Sequence, residues 1–511
     1  MHVIMKQIRA FWLLFFLVIF TGYAQKMSAP EIRNMAALHL EKGIDDLIDF
    51  LKIPNDGHFE EQVAQNMAWC ETLFRELDFS TQVLPTEGAP LLFAEKKSRK
   101  NKKTILFYLQ IDGQPVDQKQ WDQDNAFIPV LKKQNSDGTW SQIEWEGVKN
   151  DIDPDWRIFG RSASDSKGPA MAFITALRIL KTKRLKPEFN IKVIMDFQEE
   201  MGSPHLAAAV AQNRSLLNAD VVLIMDGTRH LSNWPTLTYG ARGIATASLR
   251  VFGPRYPLHS GQYGNFAPNP VFEASRLLAS LKDEEGRVLI DGFYEGIELT
   301  DTDKKALNAL PENQDSLLLR LGIAKNERVG NTYQEALQYP TLNVRGLKAA
   351  WVGNEVRTII PDEVQIEFDM RLVSETPGER LMDLFKLHIE KQGFHLVDSI
   401  PSELERQTYS KLASLKYRLG SLPFRTDMNS ETGKFLNEAM GPIFGDKVVN
   451  MRTTGGSQPI APFVRTLGVP AVSIRIPNPD NNIHAPNENL RLGNFEEGIM
   501  MCLAILSQPL Q

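Results

Sequence analysis

Only two cysteines, Cys70 and Cys502, occur in 511 residues, and that scarcity excludes two architectures. A disulfide-stapled scaffold needs a dense set of thiols, and a thiolate metal cluster needs several at close spacing. Both residues lie in apolar, helix-like stretches and read as buried thiols rather than a bridge. A basic excess is also lacking: 57 Lys and Arg face 63 Asp and Glu, a formal net charge of −6, which leaves no electrostatic footprint for nucleic acid. The densest basic stretch, Lys96 to Lys103, reads as a solvated hairpin tip. No internal repeat or low-complexity tract occurs, and beyond residue 20 no apolar run is long enough to span a bilayer. Familiar catalytic signatures are wanting as well. There is no Gly-X-Ser-X-Gly elbow and no His-Glu-X-X-His helix. Ser164-Asp-Ser-Lys167 matches Ser-X-X-Lys but lacks its Ser-Asp-Asn and Lys-Thr-Gly companions. Gly455-Gly456-Ser457 lacks the lysine and helix register of a phosphate loop.

What is present begins with a targeting pattern. Lys6 and Arg9 precede an apolar run from Phe11 to Phe20, and Gly22-Tyr23-Ala24 offers small residues for cleavage, so residues 1–24 read as a signal peptide. Export to a periplasmic or secreted location is expected, with no stable membrane anchor, since no cysteine follows the cleavage point to take a lipid. The length calls for at least two domains.

The remaining chain alternates helical periodicity with continuous apolar runs. Thr104–Leu109, Ile191–Phe197, Val221–Met225 and Pro470–Ile476 are runs of the kind found in strands buried on both faces, with helical patterns at 170–183, 204–217, 429–440, 458–467 and 493–507. Such alternation implies an open, mainly parallel α/β sheet. Ligands of these sheets sit at the carboxyl ends of strands, and the polar clusters fall there: Gln110-Ile-Asp112, Glu199-Glu200, Asp226-Gly227, and the stretch from Asp480 through His484 to Glu488. Gly160-Arg-Ser-Ala-Ser-Asp165-Ser-Lys-Gly168-Pro169 joins them, placing Asp165 where a strand-like segment hands over to a helix, with Pro169 in the first turn and Gly168 turning the backbone. From 245 to 400 the order strand, helix, strand, strand, helix, strand (the last at 394–398) suggests a ferredoxin-like sandwich inserted into the first domain. It carries a helix-rich segment, 290–340, whose role is not legible.

Asp165, Glu200, Asp226 and His484 therefore converge on one sheet edge. Carboxylates so placed repel one another unless a cation neutralises them, which makes a divalent metal the economical explanation. Histidine with carboxylates suits Zn2+, with manganese or cobalt as alternatives. Glu199 and Glu200 are adjacent and cannot both point the same way in extended chain. One of them can ligate while the other serves as general base. Taken singly, each cluster reads equally well as an acidic loop; it is their shared edge that carries the argument.

These residues resemble the dinuclear metallopeptidases that include carnosinase, cytosolic dipeptidase, carboxypeptidase G and acetylornithine deacetylase, and are most similar to the carnosinase-type branch. The resemblance runs from about residue 60 onward. It rests on Asp112-Gly-Gln-Pro-Val-Asp117, Trp121 with Phe127, the 160–168 stretch, Glu199-Glu200-X-Gly-Ser203, Tyr239-Gly-X-Arg-Gly243, His259-Ser-Gly261, Arg452-X-X-Gly-Gly-Ser457 and His484-X-Pro-Asn-Glu488. It implies that Asp165 bridges two metals, that Glu200 and His484 complete one site, and that Asp226 belongs to the other. It assigns Glu199 as general base and has Asp112 supporting the metal ligands. It has His259 reaching the partner subunit's active site, with Thr358, Arg371 and Ser457 holding the substrate's terminal carboxylate. It further implies a catalytic domain in two parts, 25–244 and 401–511, and an inserted lid and dimerisation domain, 245–400, making a homodimer. The substrate would be a small peptide or acyl-amino acid.

Gln110 departs from the pattern, standing where the family has a metal-binding histidine. Its amide oxygen is a harder and weaker ligand toward zinc. Two outcomes stay open: Gln110 binds a second metal (Mn2+ or Mg2+ rather than Zn2+) through oxygen while its NH2 donates to Asp112, or that position is empty. In the second case the protein is a mononuclear hydrolase or a non-catalytic peptide binder.

Overall fold

The computed structural model describes residues 27–98, 103–149 and 152–510. The leader expected at 1–24 and residues 99–102 of the basic hairpin lie outside them. Among the described residues no helix is long and apolar enough to cross a membrane.

The first principal helix, α1 (Ala29–Leu51), is capped by Ser28, whose side chain accepts from the Glu31 N–H, and has proline in its first turn, where an absent N–H costs nothing. Its buried residues Ile32, Met35, Ala36, Leu40, Ile44 and Leu47 recur every three or four positions and turn one stripe to the core. The later principal helices are α2 (Lys167–Thr182), α3 (Pro270–Leu281), α4 (Gly378–Lys391) and α5 (Leu492–Ser507).

The strands that matter are β1 (Ser80–Leu84), β2 (Leu91–Lys96), β3 (Thr104–Gln110), β4 (Asn190–Asp196), β5 (Val221–Ile224) and β6 (Thr236–Thr238). Four strands of the insert follow: β7 (Gly243–Phe252), β8 (Asn343–Lys348), β9 (Glu363–Leu372) and β10 (Leu412–Leu419). Then come β11 (Val449–Met451) and β12 (Ala471–Arg475). The central eight-stranded sheet has the order β1-β2-β4-β3-β5-β12-β6-β11. Its middle four strands, β4, β3, β5 and β12, are mutually parallel, as the apolar runs predict. Helices α1, α2 and α5 cover one face in the largest apolar cluster. The other face is covered by Leu206–Gln212 and Ala461–Leu467. Helical patterns on both faces and parallel strands between them put all the strand ends named above on one edge.

The insert builds its own apolar core from α3, α4 and the inner face of an antiparallel sheet. That sheet runs β8-β9-β7-β10, with a two-residue strand at the edge, which is the strand order of a ferredoxin-like sandwich. Its final strand is not the one expected at 394–398. There only His395 and Leu396 pair, in parallel, beside β10. The final position belongs to β10, which pairs with β7 from Leu412 to Leu419. Its outer half, Lys416, Tyr417 and Arg418, is exposed, which blurs the apolar alternation a buried strand would show. The insert's sheet therefore extends past residue 400, to Leu419.

Gly168 differs from expectation too. It lies inside α2 and has no left-handed backbone. A Cβ there would collide with the Ala163 carbonyl oxygen and with Leu490, so the glycine serves close packing rather than a turn.

Candidate metal centre

Three separate stretches deliver the central side chains, and each is braced before any ligand is considered. The 161–165 loop wraps around the buried carboxylate of Glu488. That side chain accepts from Arg161 Nη1 at 2.8 Å and from the backbone N–H groups of Ser162 at 2.9 Å, Ser164 at 2.9 Å and Asp165 at 2.8 Å. It also accepts from the Ser164 hydroxyl at 2.8 Å. A small antiparallel sheet missed in the sequence pairs Asn489–Arg491 with Arg157–Phe159 and brings Glu488 there. The Asp165–Ser166 peptide is cis.

Glu199 and Glu200 begin a single 3-10 turn beyond β4. Asp112 takes both of their backbone N–H groups, at 2.9 and 3.0 Å, one on each carboxylate oxygen. Asp196, another buried acid, accepts from Tyr108, Ser203 and the Gln198 N–H and anchors the same turn. Sequence reading foresaw Asp112 as a support. It missed Asp196 and gave Glu488 no role, because both act through hydrogen bonds that form only when distant loops meet. His484 has φ +59° and lies half exposed, with its ring against Asp165 and Glu200.

The result is that Asp165, Glu200 and His484 each offer a ligand atom within 4.8 Å of the others. His484 Nε2 lies 2.9 Å from Asp165 Oδ2 and 3.2 Å from Glu200 Oε2. Gln114 Nε2 donates to the same Glu200 oxygen at 2.8 Å. Burial holds the Asp165 carboxyl above its usual range, and contact with Asp165 raises His484. Glu200 is pushed up to about 10 by burial and then by Asp165. Burial, with Asp226 and Asp165 behind it, raises Glu199 well above the ordinary value. So much carboxylate in so little water is the electrostatic signature of a cation site, and one imidazole with two carboxylates is a donor set that would suit a divalent metal.

Gln110, Asp165, Glu199, Asp226 and His484 all border one cavity of about 370 Å³, with Ser457 on its rim. Gln110 is buried, and its Nε2 has no hydrogen-bond partner. The expected donation to Asp112 is not made; that carboxylate takes the backbone N–H groups of the 199–200 turn. Arg371 donates to the Ser457 hydroxyl at 2.9 Å, tying the insert to the rim. His259 and Thr358 are not brought to this cavity. They lie exposed on and beside a two-stranded ribbon, Leu258–His259 with Ile359–Ile360, where the His259 ring accepts from the Gly261 N–H.

The illegible segment of the insert supplies the opposite wall. Glu312, Arg320 and Tyr333 border the metal-side cavity. The same three, with Leu231, also border an adjoining chamber of about 520 Å³ lined by Leu307, Leu310 and Leu317. The wall is pinned by His230 Nε2 against Glu312 at 3.0 Å and by Arg452 on Asp303 at 3.2 Å and Gln338 at 2.7 Å.

This geometry agrees with what the chain is similar to. The model of peptidase family M20/M25/M40 matches residues 111–508. The Cys-Gly metallodipeptidase of Schizosaccharomyces pombe is 27% identical over 439 residues, 84% of this chain and 83% of that one. The human Beta-Ala-His dipeptidase is 26% identical over 498 residues, 93% and 91% of the two chains. Among solved structures, a metallo-carboxypeptidase of the same family from Sulfolobus solfataricus has a TM-score of 0.72 at 27% identity, covering 91% of this chain and 98% of that one. Human carnosine dipeptidase 1 shares the fold, with a TM-score of 0.70 at 22% identity over 94% of this chain and 99% of that one. A braced three-ligand centre with a free glutamate beside it, in a chain matched by the family model along most of its length, settles the matter: the chain belongs to the peptidase family M20/M25/M40 and is a metallopeptidase.

Proposed function

We propose that this metallopeptidase hydrolyses the amide bond of a dipeptide or a small N-acyl amino acid, using Zn2+ held by Asp165, Glu200 and His484. The observation that carries the reading is the split of the Glu199-Glu200 pair. Glu200 contacts His484 at the cluster, whereas Glu199 borders the cavity outside it. A bound divalent cation supplies Lewis acidity toward a water and the scissile carbonyl. Glu199, beside the cluster but outside it, would take a proton from water and return it to the leaving amine. Ser457 with Arg371 offers a hydroxyl and a guanidinium for the substrate carboxylate. A cavity of about 370 Å³ suits a small substrate, in keeping with the dipeptidase names of the relatives.

His259 lies off its own chain's cavity, which supports its acting in the active site of a partner in a homodimer formed by the insert, with Thr358 beside it. The charged and apolar pattern at 6–20 supports export. The peptide-binder alternative finds no favour among relatives named as hydrolases.

The test is turnover of a panel of dipeptides and N-acyl amino acids by the zinc- or manganese-loaded protein. Hydrolysis that is lost in Asp165→Ala together with its metal, and lost in Glu199→Gln with the metal kept, is expected. Equal metal loss in both variants overturns the division of roles.

A further inference from the structure

The structure bears directly on how many cations this site takes. The reading rests on the centre of Asp165, Glu200 and His484 proposed above. A second cation would need Asp165, Asp226 and a third donor, and the surroundings of Asp226 are not those of a ligand awaiting a metal. Its Oδ1 accepts from the Ser166 hydroxyl at 2.9 Å, and that hydroxyl also lies 3.0 Å from Asp165 Oδ1. Its Oδ2 accepts from Gln458 Nε2 at 2.9 Å, and Gln458 is itself steadied by Ser473 at 3.3 Å. The third donor is the amide of Gln110, whose Nε2 is buried without a partner. Two neutral side chains, Ser166 and Gln458, thus already hold the carboxylate.

A fixed positive charge stands beside them. Arg475, at the end of β12, is buried and borders the same cavity as Asp226. Its guanidinium packs so closely on Gly227 that a Cβ there would collide with it, and its Nε is held by the Thr238 hydroxyl at 2.7 Å. A guanidinium does not deprotonate in proteins. A second dication at Asp226 would therefore sit next to a buried cation, with an amide in place of imidazole to hold it. Like charges at that range in a low-dielectric site repel strongly.

We propose that this chain is mononuclear, and that Arg475 replaces the second cation as a built-in counter-charge to Asp226, whose carboxylate Ser166 and Gln458 already hold. Asp226 is then a partner of Arg475 and not a metal ligand, and Gln110 is not one either.

The test counts metal. Apo protein is loaded with excess zinc, desalted, and assayed by mass spectrometry and competitive chelator titration, then again with manganese. One ion per chain is expected with either metal. Asp226→Asn is expected to keep that ion within about threefold in affinity, whereas Asp165→Ala loses it. Gln110→His alone is expected to stay at one ion, because Arg475 and Gln458 remain, and Gln110→His with Gln458→Ala and Arg475→Met to rise to two. Melting curves of the metal-free variants identify any that do not fold. Two comparably tight ions in the natural chain, or loss of one on Asp226→Asn, overturns the proposal while leaving the peptidase reading intact. Binding of no ion at all overturns both, and the two failures are told apart by the count.

Discussion

Glu488 never meets substrate, yet it decides where Asp165 stands. Five donors converge on one fully buried carboxylate, and removing the acceptor leaves them unsatisfied. Glu488→Gln keeps the shape but puts an NH2 among donors, so zinc affinity should fall by roughly 10–100-fold, the usual effect of disturbing the groups that orient metal ligands. A chelator titration reads this directly, and unchanged affinity would show that the loop holds its form unaided. Glu199→Gln should do the opposite: normal zinc content, with kcat lower by ~100- to 10,000-fold. At this scale the sequence was legible wherever a side chain ends an apolar run. Asp165, Glu200, His484 and Asp112 announce themselves that way. Glu488, Asp196, Gln458 and Arg475 do not, because each acts on a residue far along the chain, and no local pattern encodes a hydrogen bond between loops.

Elements were read well where their faces are unambiguous and poorly where they are half exposed. The runs that became β3, β4, β5 and β12 are buried nearly end to end, so composition alone marks them. β10 escaped notice because half of it faces water, and the strand expected at 394–398 shrank to two residues for want of a partner on its outer side. The helices at Asp301–Asn308 and Gln314–Leu321 carry few buried residues, which made them look like solvated decoration. They instead border the metal-side cavity and the chamber that adjoins it. Leu317 borders the chamber there, so Leu317→Arg should raise KM about tenfold for a dipeptide with a large apolar residue, a cost of about 1.4 kcal/mol within the range of one apolar contact. KM for a substrate with glycine in that position should not move. Equal effects on both would mean that the chamber lies off the substrate's path. For the exposed ribbon of His259, mixed dimers of His259→Ala and Glu199→Gln should regain part of the activity that each lacks alone. Proven subunit exchange without such recovery would exclude action across the interface.

The eight-stranded sheet and its helices are interrupted in sequence by an insert with its own core, and the residues that could hold a metal lie on both sides of the cut. Asp165 and Glu200 precede the insert, and His484 follows it. A bound cation therefore ties together segments that only the folded state brings near, and occupancy at 100 times Kd should add about 2.7 kcal/mol to stability by mass action. Stripping the metal should lower Tm, and zinc should restore it in a concentration-dependent way. Asp165→Ala should melt at one temperature with or without zinc. The pairing of Asn489–Arg491 with Arg157–Phe159 has a further consequence, for the order of events during synthesis. Domains begin to fold while the chain is still emerging, but the N–H groups of Ser162, Ser164 and Asp165 lack their acceptor until Glu488 has been made. Asp165 thus stays in an unfinished loop, and the cluster it forms with Glu200 lacks His484, across more than half of translation. The three-residue cluster can be completed only once the chain has been made through His484 and Glu488, so a chain truncated before His484 should fail to bind zinc.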